Sequence, residues 1–193
     1  MAKDLGIVSS LGLSNHLTIT ELKMTDLHSN ADLVRSLFFY RDGNLYWKKQ
    51  VNTRTKIGTR AGCLVGGGGR AGLPRYKVKH EGKMYRVHRL IYLMHHNVMP
   101  KVIDHIDGNP HNNRIENLRE ASLAQNAWNQ KLGVRNKSGV KGVFWDNTRR
   151  KWHAKCMANG KYYHVGYFKD LEEARMTIEK FRAELHGEFA RNA

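Results

Sequence analysis

The sequence predicts an α+β fold in two modules. Short stretches of β-type alternation, bounded by hairpin turns, are interspersed with segments of helical spacing, so neither an all-α nor an all-β chain fits. A basic connector, Gly133-Val134-Arg135-Asn136-Lys137-Ser138-Gly139, divides a larger module over residues 31–132 from a smaller one over 140–193. In the smaller one, three strand signals precede a single amphipathic helix, the pattern of a three-stranded sheet with one helix packed across it.

Residues 1–30 mix Ser, Asn, Thr and scattered Leu without a sustained period, apart from a candidate strand at Leu17-Thr18-Ile19-Thr20, and are expected to form a weakly ordered lead-in. A helix is expected from Asp32 to Phe39, then a turn at Arg41-Asp42-Gly43-Asn44 into a strand at Leu45-Tyr46-Trp47. Gly66-Gly67-Gly68-Gly69 lacks a following Gly-Lys-Ser/Thr, so a connection is expected there and not a phosphate loop. Arg75-Tyr76-Lys77-Val78-Lys79-His80 and Met84-Tyr85-Arg86-Val87, joined by Glu81-Gly82, predict a hairpin with a basic face. A helix over His88–His96 follows, burying Leu90, Ile91 and Met94 and ending at Asn97.

Lys101–Ile106 predicts a short strand ending in the turn Asp107-Gly108-Asn109-Pro110, and Asn117–Ala121 a second one. Ser122 and Gln125 form the S-x-x-Q capping box of a helix running to about Leu132. Beyond the connector, strands are expected at Val140–Trp145, Lys151–Met157 and Tyr162–Tyr167, the last two joined by Asn159-Gly160. Asp170 and Glu173 cap the closing helix, on which Leu171, Ala174, Ile178, Phe181 and Leu185 recur at helical spacing.

Lys and Arg number 33 against 17 Asp and Glu, a formal charge of +16 that points to a polyanionic partner, nucleic acid first. The excess is uneven: residues 41–101 hold 14 basic and 2 acidic side chains and 135–193 hold 13 and 7, whereas 102–134 hold only 3 and 4. Two basic arms thus flank a stretch that keeps its carboxylates. The two cysteines, Cys63 and Cys156, have no C-x-x-C spacing, which argues against a zinc finger or disulfide framework and fits a reducing compartment. No apolar run approaches the ~18 residues of a membrane span, and no signal-peptide layout opens the chain. A soluble, intracellular, cytoplasmic protein is expected, with nucleic acid as partner and no membrane, and with the oligomeric state left open, a monomer being favoured.

The carboxylate-bearing stretch, Ile103-Asp104-His105-Ile106-Asp107-Gly108 through Asn112-Asn113 and Asn117-Leu118 to Asn126, has the inventory of a one-metal phosphodiesterase. Phosphodiester hydrolysis needs a base to activate water and a cation to neutralise developing charge. His105 has the pKa for the base, and Asp104 offers a hard oxygen suited to Mg²⁺ or Mn²⁺. Asn126, in the first turn of the capped helix, offers a second, neutral ligand, and Asn117 a hydrogen bond that would fix the histidine tautomer. Neighbours on a regular strand point to opposite faces, so Asp104 and His105 share one site only if the strand curls.

Asp104-His105, Asp107-Gly108, Asn112-Asn113, Asn117-Leu118 and Asn126, with His88-Arg89-Leu90 upstream, resemble the HNH endonucleases, particularly the phage homing-endonuclease branch with a ββα-metal core. The resemblance spans roughly residues 40–132. It implies a metal-dependent DNA endonuclease with His105 as general base, Asp104 and Asn126 holding one divalent ion, Mg²⁺ or Mn²⁺, and Asn117 orienting the histidine. Asn126 stands where many members have histidine. Residues 138–190 resemble the ethylene-response-factor type of DNA-binding domain, with Ser138-Gly139-Val140-Lys141-Gly142-Val143, Lys151-Trp152 and Val165-Gly166-Tyr167-Phe168 carrying the likeness. That implies a sheet laid in the major groove, with Lys151, His153 and Lys155 facing DNA. Candidate DNA contacts are Lys77, Lys79, Arg86, His88 and Arg89 in the first module and Lys141, Arg149, Lys151, Lys155 and Lys161 in the second, the ion site lying wholly before the connector. The rival reading is a catalytically inert DNA-binding regulator, which would be expected to have lost Asp104 or His105.

Overall fold

The capping side chains and turn residues place most elements close to expectation. The computed structural model describes residues 26–66 and 73–192; the candidate strand at Leu17-Thr18-Ile19-Thr20 and the stretch Gly67-Gly68-Gly69-Arg70 lie outside them. The first helix, α1 (Ala31–Leu37), is capped by Asn30, whose Oδ1 accepts from the Leu33 N–H at 2.8 Å. It stops short of Phe39 because the aromatic run Phe38-Phe39-Tyr40 enters strand β1 (Phe38–Arg41), which pairs antiparallel with β2 (Asn44–Trp47). The Phe39 and Tyr46 rings stack across that pair with centroids 5.1 Å apart. Ordered packing begins before residue 31: Leu27 is fully buried in the core.

Strands β3 (Cys63–Val65), β4 (Arg75–His80) and β5 (Lys83–Arg86) form an antiparallel sheet in that order. Helix α2 (Val87–His96) follows without a loop and ends on Asn97, whose left-handed backbone lets its N–H reach the Leu93 carbonyl. Its buried Leu90 and Ile91 meet Val34, Phe38, Leu45 and Val78, the centre of the first core. Burial of apolar side chains is the main term holding this module together.

Strand β6 (Ile103–His105) pairs antiparallel with β7 (Leu118–Glu120), placing Asp104 opposite Arg119 and His105 opposite Leu118. A 3₁₀ turn, Ile115–Asn117, leads into β7. The capping box at Ser122 and Gln125 forms as read, but helix α3 (Leu123–Trp128) ends before Leu132. Two side chains stop it. The Asn129 carboxamide turns inward to Asp104, and Lys141 Nζ donates to the carbonyls of Trp128 and Gln130 at 2.6 and 2.7 Å.

In the second module β8 (Val143–Asp146), β9 (Lys151–Ala158) and β10 (Lys161–Phe168) form an antiparallel sheet with β9 central, and α4 (Leu171–His186) packs across it. A separate buried cluster of Val143, Ala154, Cys156, Ala174 and Ile178 holds sheet to helix. Ala154 and Cys156 face the helix, as the alternation of β9 requires. An unanticipated 3₁₀ turn, Gly187–Phe189, follows α4 and buries Phe189. This turn returns to the first module: His186 stacks on Trp128 with centroids 4.2 Å apart, and Arg119 lies over the Phe189 ring. The centre of the first module is therefore not built from residues before the connector alone. Among the described residues no helix is long and apolar enough to cross a membrane.

The β1–β2 turn supports the loop between β6 and β7. Tyr40 Oη accepts from the Ile115 N–H at 3.1 Å, and Gly43, at φ +78°, sits so close that an added Cβ would lie 2.9 Å from the Arg114 nitrogen. Gly82 has the same φ with open space around it. Both Gly43→Ala and Gly82→Ala incur the left-handed penalty of about 1–2 kcal/mol. Urea unfolding should show a larger loss for Gly43→Ala; equal losses would mean that the Arg114 backbone yields at no cost.

Candidate active site

Strand β6 is short and ends in a turn closed by the Gly108 N–H donating to the His105 carbonyl at 2.7 Å. The curl this imposes brings Asp104 and His105 to one cleft of about 560 Å³, also lined by Arg75, Arg86, His88, Arg89, Lys101 and Asn126. Both residues are themselves buried. The obstacle posed by strand alternation is thus removed by where the strand ends.

A buried carboxylate requires partners, and Asp104 has two. Arg119 donates from Nε and Nη2 to the same oxygen, Oδ2, each at 3.0 Å, while Asn129 Nδ2 lies 2.9 Å from Oδ2 and 3.1 Å from Oδ1. Asn129 also donates to the His105 carbonyl at 2.7 Å, which ties α3 to the end of β6. Oδ1 is left as the less encumbered oxygen.

His105 Nε2 donates to Asn113 Oδ1 at 2.9 Å, both groups being buried. With the proton on Nε2, Nδ1 carries the lone pair. Burial lowers the imidazole pKa below its ordinary value, against the raising effect of the Asn113 bond, while Arg75 adds to the lowering. His88 packs edge-on against His105 with centroids 5.1 Å apart, and burial, followed by His105, Arg75, Arg86 and Arg89, drives its pKa down to about 2. His88 is thus buried against His105 on the cleft wall, where it was expected as a DNA contact.

Asn117 corrects a second expectation. It accepts from the Asp107 N–H at 3.0 Å and donates to Asp107 Oδ1 and to the Asn112 carbonyl at 3.0 and 2.7 Å. These bonds hold the shape of the loop, and the loop in turn presents Asn113 to the histidine. Asn126 lines the cleft as expected. The residues missed were Asn113, Arg119, Asn129 and Arg75. Arg119 was findable as the cross-strand partner of Asp104 once the two strands are paired, and Asn129 as the residue one turn beyond Asn126 on the same helix face.

Of the DNA-contact candidates, Lys77 and Arg86 are register partners, and Lys79 follows on the same outward strand face. Arg89 donates to the carbonyls of Pro100 and Lys101 yet still lines the cleft. Arg75 and Arg89 have pKa values lowered by burial and then by Arg86, the mark of cations crowded together. Lys141 is half-buried: burial, then Arg182 and Arg191, lower its pKa to about 8, and its ammonium donates to the carbonyls at the end of α3. Lys151 and Lys155 alternate on β9, and Lys155 Nζ lies over the Phe144 and Tyr162 rings. Arg149 pairs with Asp146 and covers Tyr167, and Lys161 is exposed at the start of β10.

Among the described residues no three His, Cys, Asp or Glu side chains gather as a metal cage. The oxygen donors on the cleft, the Asp104 carboxylate and the Asn126 carboxamide, suit a hard ion that keeps several waters and shares the phosphate as ligand.

Residues 85–128 match the family model of HNH endonucleases. A protein of Escherichia phage T7 named Protein 3.8 is 45% identical over 89 residues, 46% of this chain and 73% of that protein. The chain is a relative of that phage protein and carries an HNH endonuclease domain over residues 85–128. An Acanthamoeba polyphaga mimivirus protein, named as an uncharacterised HNH endonuclease, is 34% identical over 119 residues, 60% of each chain. No solved structure matches. The matched segment runs from β5 through α3 and so contains Asp104, His105, Asn113, Arg119 and Asn126, whereas Asn129 and the Gly187–Phe189 turn fall outside it.

The field around the two histidines has a direct consequence. In a nitrogen-detected NMR titration of the metal-free protein, His105 should titrate below 6.5 and remain neutral at pH 7, and His88 should show no titration between pH 5 and 8. A midpoint above 6.5 for either would contradict the burial described.

Proposed function

We propose that this HNH protein is a DNA endonuclease, of the homing type, that hydrolyses phosphodiester bonds with one divalent ion, Mg²⁺ or Mn²⁺. The observation that carries the reading is His105: a buried imidazole held in one tautomer by Asn113, with its lone-pair nitrogen free to take a proton from water beside an oxygen-donor carboxylate. In this reading Asp104 and Asn126 hold the ion, which would polarise the phosphate and stabilise the leaving oxygen. Asn113 orients the base, the role expected of Asn117, while Asn117 keeps the loop in shape.

Arg75, Arg86, Arg89 and Lys101 supply positive charge along the cleft wall, where it draws in the scissile phosphate and offsets charge developing on it. Lys77 and Lys79 extend that wall along the backbone of double-stranded DNA. The second module, proposed as an ethylene-response-factor-like domain, docks by the outward face of β9, with Lys151, His153 and Lys155. Aromatic rings on that face, Phe144, Tyr162 and Tyr167, offer stacking surfaces beside the cations. The site of action in this reading is the cytoplasm of an infected host cell.

His105→Ala should lower plasmid cleavage by about 10²–10⁴-fold, because the base acts on the transition state, with DNA affinity unchanged. Asn113→Ala should lower it less, about 10–100-fold, through loss of tautomer and orientation. Single-turnover cleavage and filter binding on the same preparations separate the two effects. Near-wild-type cleavage by His105→Ala would refute its role as base.

A further inference from the structure

Arg119, which grips the candidate ion ligand, is itself held from the far end of the chain. Its Nη1 donates to the Glu188 carbonyl at 2.9 Å and lies 3.7 Å from Glu188 Oε2, while its guanidinium carbon sits 3.6 Å from the centroid of the Phe189 ring. The ring is buried and the arginine side chain only 13% exposed, so the cation is enclosed between the Asp104 carboxylate and the Gly187–Phe189 turn. The turn is anchored on both sides. The Gly187 N–H closes α4 on the Ala183 carbonyl, and His186, the preceding residue, stacks on Trp128 at the end of α3 with an interplanar angle of 2°.

We infer that the Gly187–Phe189 turn belongs to the ion site of the nuclease, with Arg119 and Phe189 as positioning residues that set the orientation of Asp104. The inference rests on the reading of Asp104 as an ion ligand. A guanidinium that donates two N–H groups to Oδ2, with Asn129 also nearer to Oδ2 than to Oδ1, leaves Oδ1 as the less encumbered oxygen and the one that would be offered to an ion. Planar guanidinium on an aromatic face is a directional contact, so Phe189 restricts the plane of Arg119 as a lid of merely apolar volume would not. The second module thereby has a part in hydrolysis in addition to docking. Its closing turn completes a site whose other groups lie about 60 to 85 residues earlier in the chain.

The test is Mn²⁺ binding to the full-length protein without DNA, read from the free-ion EPR signal, alongside plasmid affinity in chelator and a circular-dichroism melt. Phe189→Ala should raise the Mn²⁺ dissociation constant roughly tenfold and leave plasmid affinity unchanged. Phe189→Tyr, which keeps the ring face, should retain wild-type Mn²⁺ affinity. Should Phe189→Ala fail to fold, Phe189→Leu keeps the apolar volume and removes the ring, and a rise of about threefold is expected. Wild-type Mn²⁺ affinity in the folded Ala or Leu variant overturns the inference, as does loss of plasmid affinity in step with metal affinity. Asp104→Asn serves as the separate control: if it binds Mn²⁺ as tightly as wild type, the ligand reading of Asp104 fails, independently of the turn.

Discussion

The pairing of the Asp104 carboxylate with Arg119 and Asn129 is the constraint on which the rest of the structure depends. A carboxylate only 4% exposed is tolerated only with its oxygens satisfied, and removing one partner of such a pair typically costs about 3–5 kcal/mol. Each partner belongs to a different element. Arg119 comes from β7 and carries with it the Glu188–Phe189 turn; Asn129 comes from the end of α3 and carries the His105 carbonyl. The antiparallel register of β6 with β7, the premature end of α3 and the return of the C-terminal turn are therefore consequences of keeping one charge buried.

The electrostatics of the cleft follow from the same enclosure. Arg75, Arg86 and Arg89 line one cleft where burial already disfavours charge: Arg86 adds to the lowering that burial imposes on Arg75 and Arg89, all three add to that on His88, and Arg75 to that on His105. In the proposed function, a phosphate entering there would relieve repulsion among these cations, and the cleft would cost little reorganisation as charge developed on it. Burial first, and Arg75 after it, favour the unprotonated imidazole of His105, the form a base requires. Cation crowding and base competence are two effects of one arrangement.

Much of this was legible in the sequence because the signals were local. The basic hairpin followed from two alternating runs around Glu81-Gly82, and the capping box at Ser122 and Gln125 started α3 where it starts. The joint spacing of Asp104, His105 and Asn126 named three residues that do line one cleft. What was not legible depends on tertiary placement. Asn113 and Asn117 are chemically identical, and which of them meets the imidazole is decided by the loop that Asn117 itself ties to Asp107 and Asn112. Lys141 reads as one more cation in a basic arm until the docking of the two modules puts the Trp128 and Gln130 carbonyls beside it. No motif marks Glu188 and Phe189, whose part is set by Arg119, a residue far away in sequence.

The central claim is that Asp104 and His105 form a hydrolytic site working with a divalent ion, and the most direct measurement is the fate of supercoiled plasmid incubated with the purified full-length protein. The account predicts conversion to nicked or linear product with Mg²⁺ and none when EDTA is present, with binding retained in both. Cleavage undiminished by chelator, or plasmid bound but left intact with Mg²⁺ in excess, would contradict it.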